Sequence, residues 1–226
     1  MKGILYGVGV GPGDKKLLTI LAVETLKNAG KIVVPDTGGE NISLNIVKEY
    51  IEDKEKIYCK MPMTRDKKVL QESHGLCADI ICEQLDKGVD IAFITLGDPT
   101  IYSTYMYIHR LVMERGYNTK IINGIPSFCA AAAKLNISLC DNGETLHIIP
   151  ASYEGIDEYL KIKGNKVLMK SGKSILNVKE KLKEFDIINK AKMVECCFME
   201  NEKIFESLSE VEEESSYFST IIVKGE

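Results

Sequence analysis

A chain of 226 residues has room for one large domain or two small ones with a substantial core. Charged residues make up 27% and the net charge is −4, so no general attraction to nucleic acid is expected. No apolar run reaches the roughly eighteen residues of a membrane span. The start reads as a strand rather than a basic-then-apolar leader, which points to a soluble, cytoplasmic protein.

The first strand, Gly3-Ile4-Leu5-Tyr6, runs into Gly7-Val8-Gly9-Val10-Gly11-Pro12-Gly13-Asp14, a loop with glycine at every second position. Such a loop after a first strand marks a ligand crevice and lets a ligand approach the backbone. Helical spacing over 15–29 precedes a short apolar strand at 31–34, closed by Pro35. A helix over 66–87 stops at Gly88, a buried strand covers 89–96, and a helix over 102–115 is closed by Gly116. A strand at 117–122 and a small-residue helix at 126–135 follow. Beyond residue 143 the strands at 145–149, 166–169, 192–197 and 217–223 sit among charged helices. The alternation predicts an α/β protein of two α/β domains, 1–122 and 123–226, with a cleft between them and a parallel sheet in the first. The acidic run 212–216 reads as a solvated turn.

Several familiar chemistries are excluded by spacing. A dinucleotide fingerprint starting at Gly7 meets Pro12 where glycine is needed, and one starting at Gly9 meets Asp14. Ser171-Gly172-Lys173-Ser174 imitates the end of a phosphate loop, yet Val167 stands where its first glycine belongs. The seven cysteines hold no C-x-x-C pair and the three histidines are scattered, so no metal cage is expected and the cysteines read as buried reduced thiols. No Ser/His/Asp or Cys/His spacing singles out a catalytic nucleophile. Two further loops follow presumed strands. In 95–104 Gly97-Asp98-Pro99 makes a tight turn in which Asp98 is placed to cap the next helix. In Asn123-Gly124-Ile125-Pro126-Ser127 the proline suits a helix's first turn.

The order GVGVGPGD, LGDPTIYST and NGIPSFCAAAA resembles the tetrapyrrole methylase family along nearly the whole chain. The stretch STYMYIHRLVMERGYNTKIINGIPSF is similar to those members that methylate carbon 20 of precorrin-2 or cobalt-factor II in cobalamin (corrin) biosynthesis. The resemblance implies a homodimer with two α/β domains, binding S-adenosyl-L-methionine in the cleft through backbone groups, with a tetrapyrrole as substrate. Carried over by motif, Gly97, Asp98, Ile101, Ser103 and Thr104, with Ser127 and Phe128, take the cofactor. Met169, Lys170 and Cys197 lie where the second domain touches its adenine, and Gly11, Pro12, Gly13 and Asp14 lie by the substrate. In relatives a proline often stands where this chain has Asn123.

The many carboxylates of a tetrapyrrole call for cations, and Arg65, Arg110 and Lys134 are the candidates. No residue stands out as the base. A diphthamide-type methylase of the same fold and a non-catalytic module binding an anionic ligand are the rival readings.

Overall fold

The inner strands of the first sheet are buried on both faces, as a parallel sheet covered by helices on each side requires. The computed structural model describes residues 1–152 and 155–225. It divides into two units, Met1–Pro126 and Ser127–Glu226. The first contains β1 (Ile4–Gly9), α1 (Ile20–Asn28), β2 (Lys31–Asp36), α2 (Ile42–Val47), β3 (Glu55–Lys60), α3 (Lys67–Asp86), β4 (Ile91–Thr95), α4 (Tyr105–Glu114) and β5 (Asn118–Ile122). Its strands lie in the order β3-β2-β4-β1-β5, every pair parallel. Alternation along the strands splits the core in two. Leu5, Val33, Ile91 and Phe93 pack with Cys77, Ile81 and Leu85 of α3 and with Tyr105, Ile108 and Val112 of α4. Val8, Ile32, Val34, Ala92 and Ile94 pack on the other face with Ala22 and Leu26 of α1 and Ile46 and Val47 of α2.

The second unit holds α5 (Ser127–Lys134), β6 (Leu146–Pro150), α6 (Ile156–Leu160), β7 (Asn165–Met169), α7 (Ile175–Glu184), β8 (Ala191–Glu195), β9 (Lys203–Phe205) and β10 (Ser219–Val223). Here the order is β6-β7-β10-β8-β9, with β6 and β7 parallel and the remaining pairs antiparallel. One face of that sheet packs Leu168, Met193 and Ile221 against Ile175, Val178 and Leu182 of α7. Among the described residues no helix is long and apolar enough to cross a membrane.

The elements depart from expectation where local chemistry intervenes. The helix expected over 15–29 is broken: a short 3-10 turn over Lys15–Leu17 gives way to an extended Leu18. Thr19 then caps α1 by accepting from the Ala22 amide. The helix expected from 102 begins at Tyr105, because Tyr102 sits at φ +50°, outside the helical region. Strand β8 ends at Glu195, since Cys196 turns to φ +49°. Strand β3 escaped the sequence reading because it is an edge strand, polar at most positions and paired only with β2. The unit boundary falls after Pro126 rather than after Ile122, because Asn123 and Gly124 hydrogen-bond to Asp98 of the first unit.

Candidate functional site

In the first sheet the chain runs outward through β1, β2 and β3 with α1 and α2 on one face. It returns through β4 and β5 with α3 and α4 on the other. Adjacent strands β1 and β4 therefore send their following helices to opposite faces. Between their carboxyl ends the diverging connections leave a crevice, which is where open parallel sheets bind ligands. The glycine loop follows β1 and the Gly-Asp-Pro loop follows β4, so both meet there.

The loops are locked together main chain to main chain. Gly11 and Gly97 exchange hydrogen bonds, 3.2 Å from the Gly11 amide and 2.8 Å from the Gly97 amide. A Cβ on Gly9 would stand 2.5 Å from the Gly124 nitrogen, and one on Gly124 would stand 2.1 Å from the Gly97 carbonyl oxygen. Gly7 makes room for something else: its Cβ would fall 2.0 Å from the buried Tyr105 ring. The glycines at 7 and 9 thus admit neighbouring protein, not the ligand that their spacing suggested. Gly97 differs. A Cβ there would meet nothing within 4 Å, while its φ of +71° favours glycine. The open space of this crevice lies beside Gly97.

Asp98 joins the second and third loops. Its Oδ1 accepts from the Thr100 amide at 2.8 Å and from the Thr100 hydroxyl. Its Oδ2 accepts from Asn123 Nδ2 at 3.1 Å and from the Gly124 amide at 3.0 Å. Burial pushes the carboxyl upward, yet the hydrogen bonds from Thr100, Asn123 and Gly124 outweigh it and hold Asp98 below the ordinary carboxylate range. The side chain is 5% exposed, ionised and satisfied from within the protein. It does not cap α4, which starts at Tyr105 behind Thr104 and has no side-chain cap. Asn123, where relatives often have proline, supplies one of the four donors. A sequence reading that marked only the departure missed this compensation, although an amide in the loop next after the one that carries Asp98 was its visible signal.

Around this joint, Ser103 Oγ lies 2.8 Å from Thr95 Oγ1 and accepts from the Tyr105 amide. Ile101 is partly buried and Thr104 exposed. Gly11 and Pro12 are buried and Gly13 partly so, while Asp14 accepts from the Lys16 amide at 2.8 Å. The Asp14 carboxylate is thus engaged in its own turn.

In the second unit the remaining candidates gather at one edge of the sheet. Strands β7 and β8 both end there and β10 begins there. Thr220 pairs in register with both Met169 and Val194, and its hydroxyl lies 3.5 Å from Ser127 Oγ at the start of α5. Lys170 (φ +60°), Cys196 (φ +49°) and Phe198 (φ +61°) turn the chain sharply at this edge. Backbone conformations of this kind concentrate at functional sites. Phe128 is buried behind Ser127. Burial first, then the nearby Glu202 carboxylate, pushes the Cys197 thiol up to about 12, so it stays neutral. Ser171, in the rejected phosphate-loop look-alike, starts a 3-10 turn over Gly172–Ser174. The cysteines are free; Cys129 and Cys140 are exposed and the other five buried.

The cations expected to meet substrate are partly committed elsewhere. Lys134 pairs with Glu202 at 2.9 Å and lies 4.0 Å over the Phe198 ring. Arg110 lies 5.0 Å over the Tyr107 ring. Arg65 sits in the segment after β3, at the same end of the parallel sheet as the three loops. Among the described residues no group of three His, Cys, Asp or Glu side chains is placed to hold a metal ion.

The sequence profile described as Tetrapyrrole (Corrin/Porphyrin) Methylases matches residues 4–212. The chain belongs to this family. It is 39% identical over 180 residues to the "probable cobalt-precorrin-2 C(20)-methyltransferase" of Methanocaldococcus jannaschii, covering 79% of this chain and 75% of that one. It is 27% identical over 230 residues to the cobalt-precorrin-2 C(20)-methyltransferase of Salmonella typhimurium, covering 99% and 97%. The crystal structure of uroporphyrin-III C-methyltransferase from Thermus thermophilus, complexed with S-adenosylhomocysteine, shares the fold with a TM-score of 0.72. That match is 18% identical and covers 97% of each chain.

Proposed function

We propose that this protein is an S-adenosylmethionine-dependent methyltransferase acting on carbon 20 of a precorrin-2-type tetrapyrrole, with the cobalt-bound form as the preferred substrate. The observation that carries this reading is the likeness, over most of both chains, to relatives bearing that activity in their names. The crevice is compatible with the cofactor. Its open flank lies beside Gly97, and its one buried carboxylate, Asp98, is held ionised in a loop that would receive a sulfonium cation. The broken dinucleotide spacing agrees with a ligand gripped by main chain.

When bound, S-adenosylmethionine supplies an activated methyl group with a neutral thioether as its leaving group. Gly97, Asp98, Ile101, Ser103 and Thr104 would hold its amino-acid side. Ser127, Phe128, Met169, Lys170 and Cys197 would serve the remainder of the molecule. Gly11 to Asp14 and Arg65 would face the tetrapyrrole. Their work is orientation and exclusion of water. Well-positioned reactants account for about 7–11 kcal/mol of barrier reduction, so transfer to an electron-rich bridging carbon needs no covalent enzyme intermediate. Selection for cobalt acts through pocket shape, since the metal is already held by the macrocycle. By family likeness the working assembly is a homodimer, which light scattering checks.

The test offers cobalt-factor II and precorrin-2 anaerobically with a carbon-13 methyl donor and locates the label by NMR on a diamagnetic product. Label at carbon 20 is expected. Label at another bridge or on a ring carbon overturns the regiochemistry, and preference for the metal-free substrate overturns only the cobalt part. Absence of any transferred methyl favours the non-catalytic binding module.

A further inference from the structure

The thiols of Cys59 and Cys77 form a hydrogen-bonded pair between the edge strand β3 and the helix α3. Each residue is 2% exposed. Neither is sealed off from the surface, because both line a groove of about 190 Å³ whose walls are Tyr58 of β3 and Leu76 and Ile80 of α3. The pair is held in register from one side. Ser73 lies one helical turn before Cys77 and Lys60 follows Cys59, and the Ser73 hydroxyl donates to the Lys60 carbonyl, clamping helix to strand. The other five cysteines stand differently. Cys129 and Cys140 are exposed, and Cys82 accepts from Arg115 Nη1 at 3.8 Å. Cys196 and Cys197 are chain neighbours, a poor geometry for a mutual disulfide.

Packing alone asks for small apolar side chains between β3 and α3 and does not select sulfur on both elements. We infer that Cys59 and Cys77 are a redox modification site, which a low-molecular-weight disulfide reaching the groove converts to an intramolecular disulfide joining β3 to α3. The hydrogen bond from Cys77 draws the Cys59 thiol below its ordinary pKa against the opposing effect of burial, and the same bond, then burial, pushes Cys77 up. Cys59 is therefore the attacking sulfur. It bonds to one reagent sulfur, the reagent S–S bond breaks, and the first thiol leaves with the Cys59 proton. Cys77 then attacks the Cys59 sulfur, and the second reagent thiol leaves with the Cys77 proton. The protein gives up two electrons and two protons, and the reagent is reduced to two thiols. An added dithiol reverses the exchange.

The test treats the reduced, folded protein with hydroxyethyl disulfide at neutral pH, blocks remaining thiols with N-ethylmaleimide and maps the peptides by mass spectrometry. A Cys59–Cys77 crosslink is expected, and dithiothreitol should remove it. In Cys77→Ala the exchange cannot close, so Cys59 should keep half of the reagent as a mixed disulfide, whereas in Cys59→Ala the Cys77 thiol should stay free. The double variant C129A/C140A should form the crosslink as wild type does. Because the bond closes a loop over residues 60–76 in the unfolded chain, the oxidised protein should melt about 5 °C or more above the reduced one. The reagent should not raise the melting of C59A. The inference is overturned if Cys59 and Cys77 both stay thiols while Cys129 and Cys140 take up the reagent, or if the crosslink forms only in urea. It is overturned equally if the oxidised protein melts no higher than the reduced one, since the bond would then strain the fold rather than fit it. Mapping and melting of wild type decide the matter even where an alanine variant fails to fold.

Discussion

Removing the Asp98 carboxylate tests how the crevice is built. In Asp98→Ala four hydrogen bonds vanish at once, from the Thr100 amide and hydroxyl, Asn123 Nδ2 and the Gly124 amide. Their fates differ. Thr100 and Asn123 are exposed residues and can turn to water, whereas Gly124 is buried and its amide is left without an acceptor. An unsatisfied buried donor costs about 1–3 kcal/mol, and hydrogen bonds to a charged group contribute about 1.5–3 kcal/mol. Allowing for partial resolvation, the change should destabilise the protein by about 2–4 kcal/mol. For a chain of this size that lowers the melting temperature by about 5–15 °C. Because the same carboxylate aligns the second and third loops, S-adenosylhomocysteine affinity should fall as well, by about tenfold or more.

Calorimetric melting and titration on one sample read both quantities. Asp98→Asn should fall between wild type and D98A, since its amide keeps one acceptor but turns donors toward donors. A D98A protein melting within about 2 °C of wild type would refute the staple. Lowered melting with unchanged affinity would leave the staple intact and remove Asp98 from the binding site. The pH dependence carries a sign. The folded carboxyl titrates below its unfolded value of 3.8, so the stabilisation is complete above that value and is lost as pH falls through the folded value. The stability gap between wild type and D98N should therefore be flat near neutrality and close only in strong acid.

Gly7→Ala should cost about 1–3 kcal/mol by urea unfolding, because its Cβ would collide with the Tyr105 ring at 2.0 Å; the pair G7A/Y105L should recover part of the loss. His74 is 6% exposed with an unpartnered Nε2, and burial lowers its pKa below 6.5, so the unfolded chain binds its proton first. Stability should drop as pH falls through and below 6.5, and His74→Leu should flatten that slope in urea melts taken on either side of it. Lys134→Met should destabilise by about 0.5–2 kcal/mol while leaving the tetrapyrrole KM unchanged, since the lysine is engaged with Glu202 and Phe198. A raised KM would return Lys134 to the substrate site.

How far the sequence could be read depended on whether each signal was local. The parallel half was legible because its inner strands are apolar on both faces and its helices end at Gly88 and Gly116, all features of contiguous residues. Strand β3 was not, since an edge strand with one neighbour needs little apolar surface. The three loops were legible as special, and the topology brings two of them to one switch point and hydrogen-bonds the third to it. What the glycines do there was not legible. Their reasons lie about ninety to over one hundred positions away, in the Tyr105 ring and in the backbone of Gly97 and Gly124.

The same distance explains the misreading of Asp98. A carboxylate two residues before a threonine and seven before a helix looks like a turn residue or a cap, and the Thr100 contacts satisfy that local reading. Its other oxygen reaches the third loop, where this chain departs from the proline often found in relatives. A proline at 123 would leave the Gly124 contact possible but remove the Asn123 donor. Asn123→Pro therefore separates the two halves of the staple. The Asn123 side chain is exposed, so its loss should cost under about 1 kcal/mol and leave S-adenosylhomocysteine affinity nearly unchanged, provided the Gly124 amide is the contact that fixes the loops. If N123P instead reproduces the full D98A defect, the Asn123 amide is the essential partner, and the proline-bearing relatives must align the same loops by another contact.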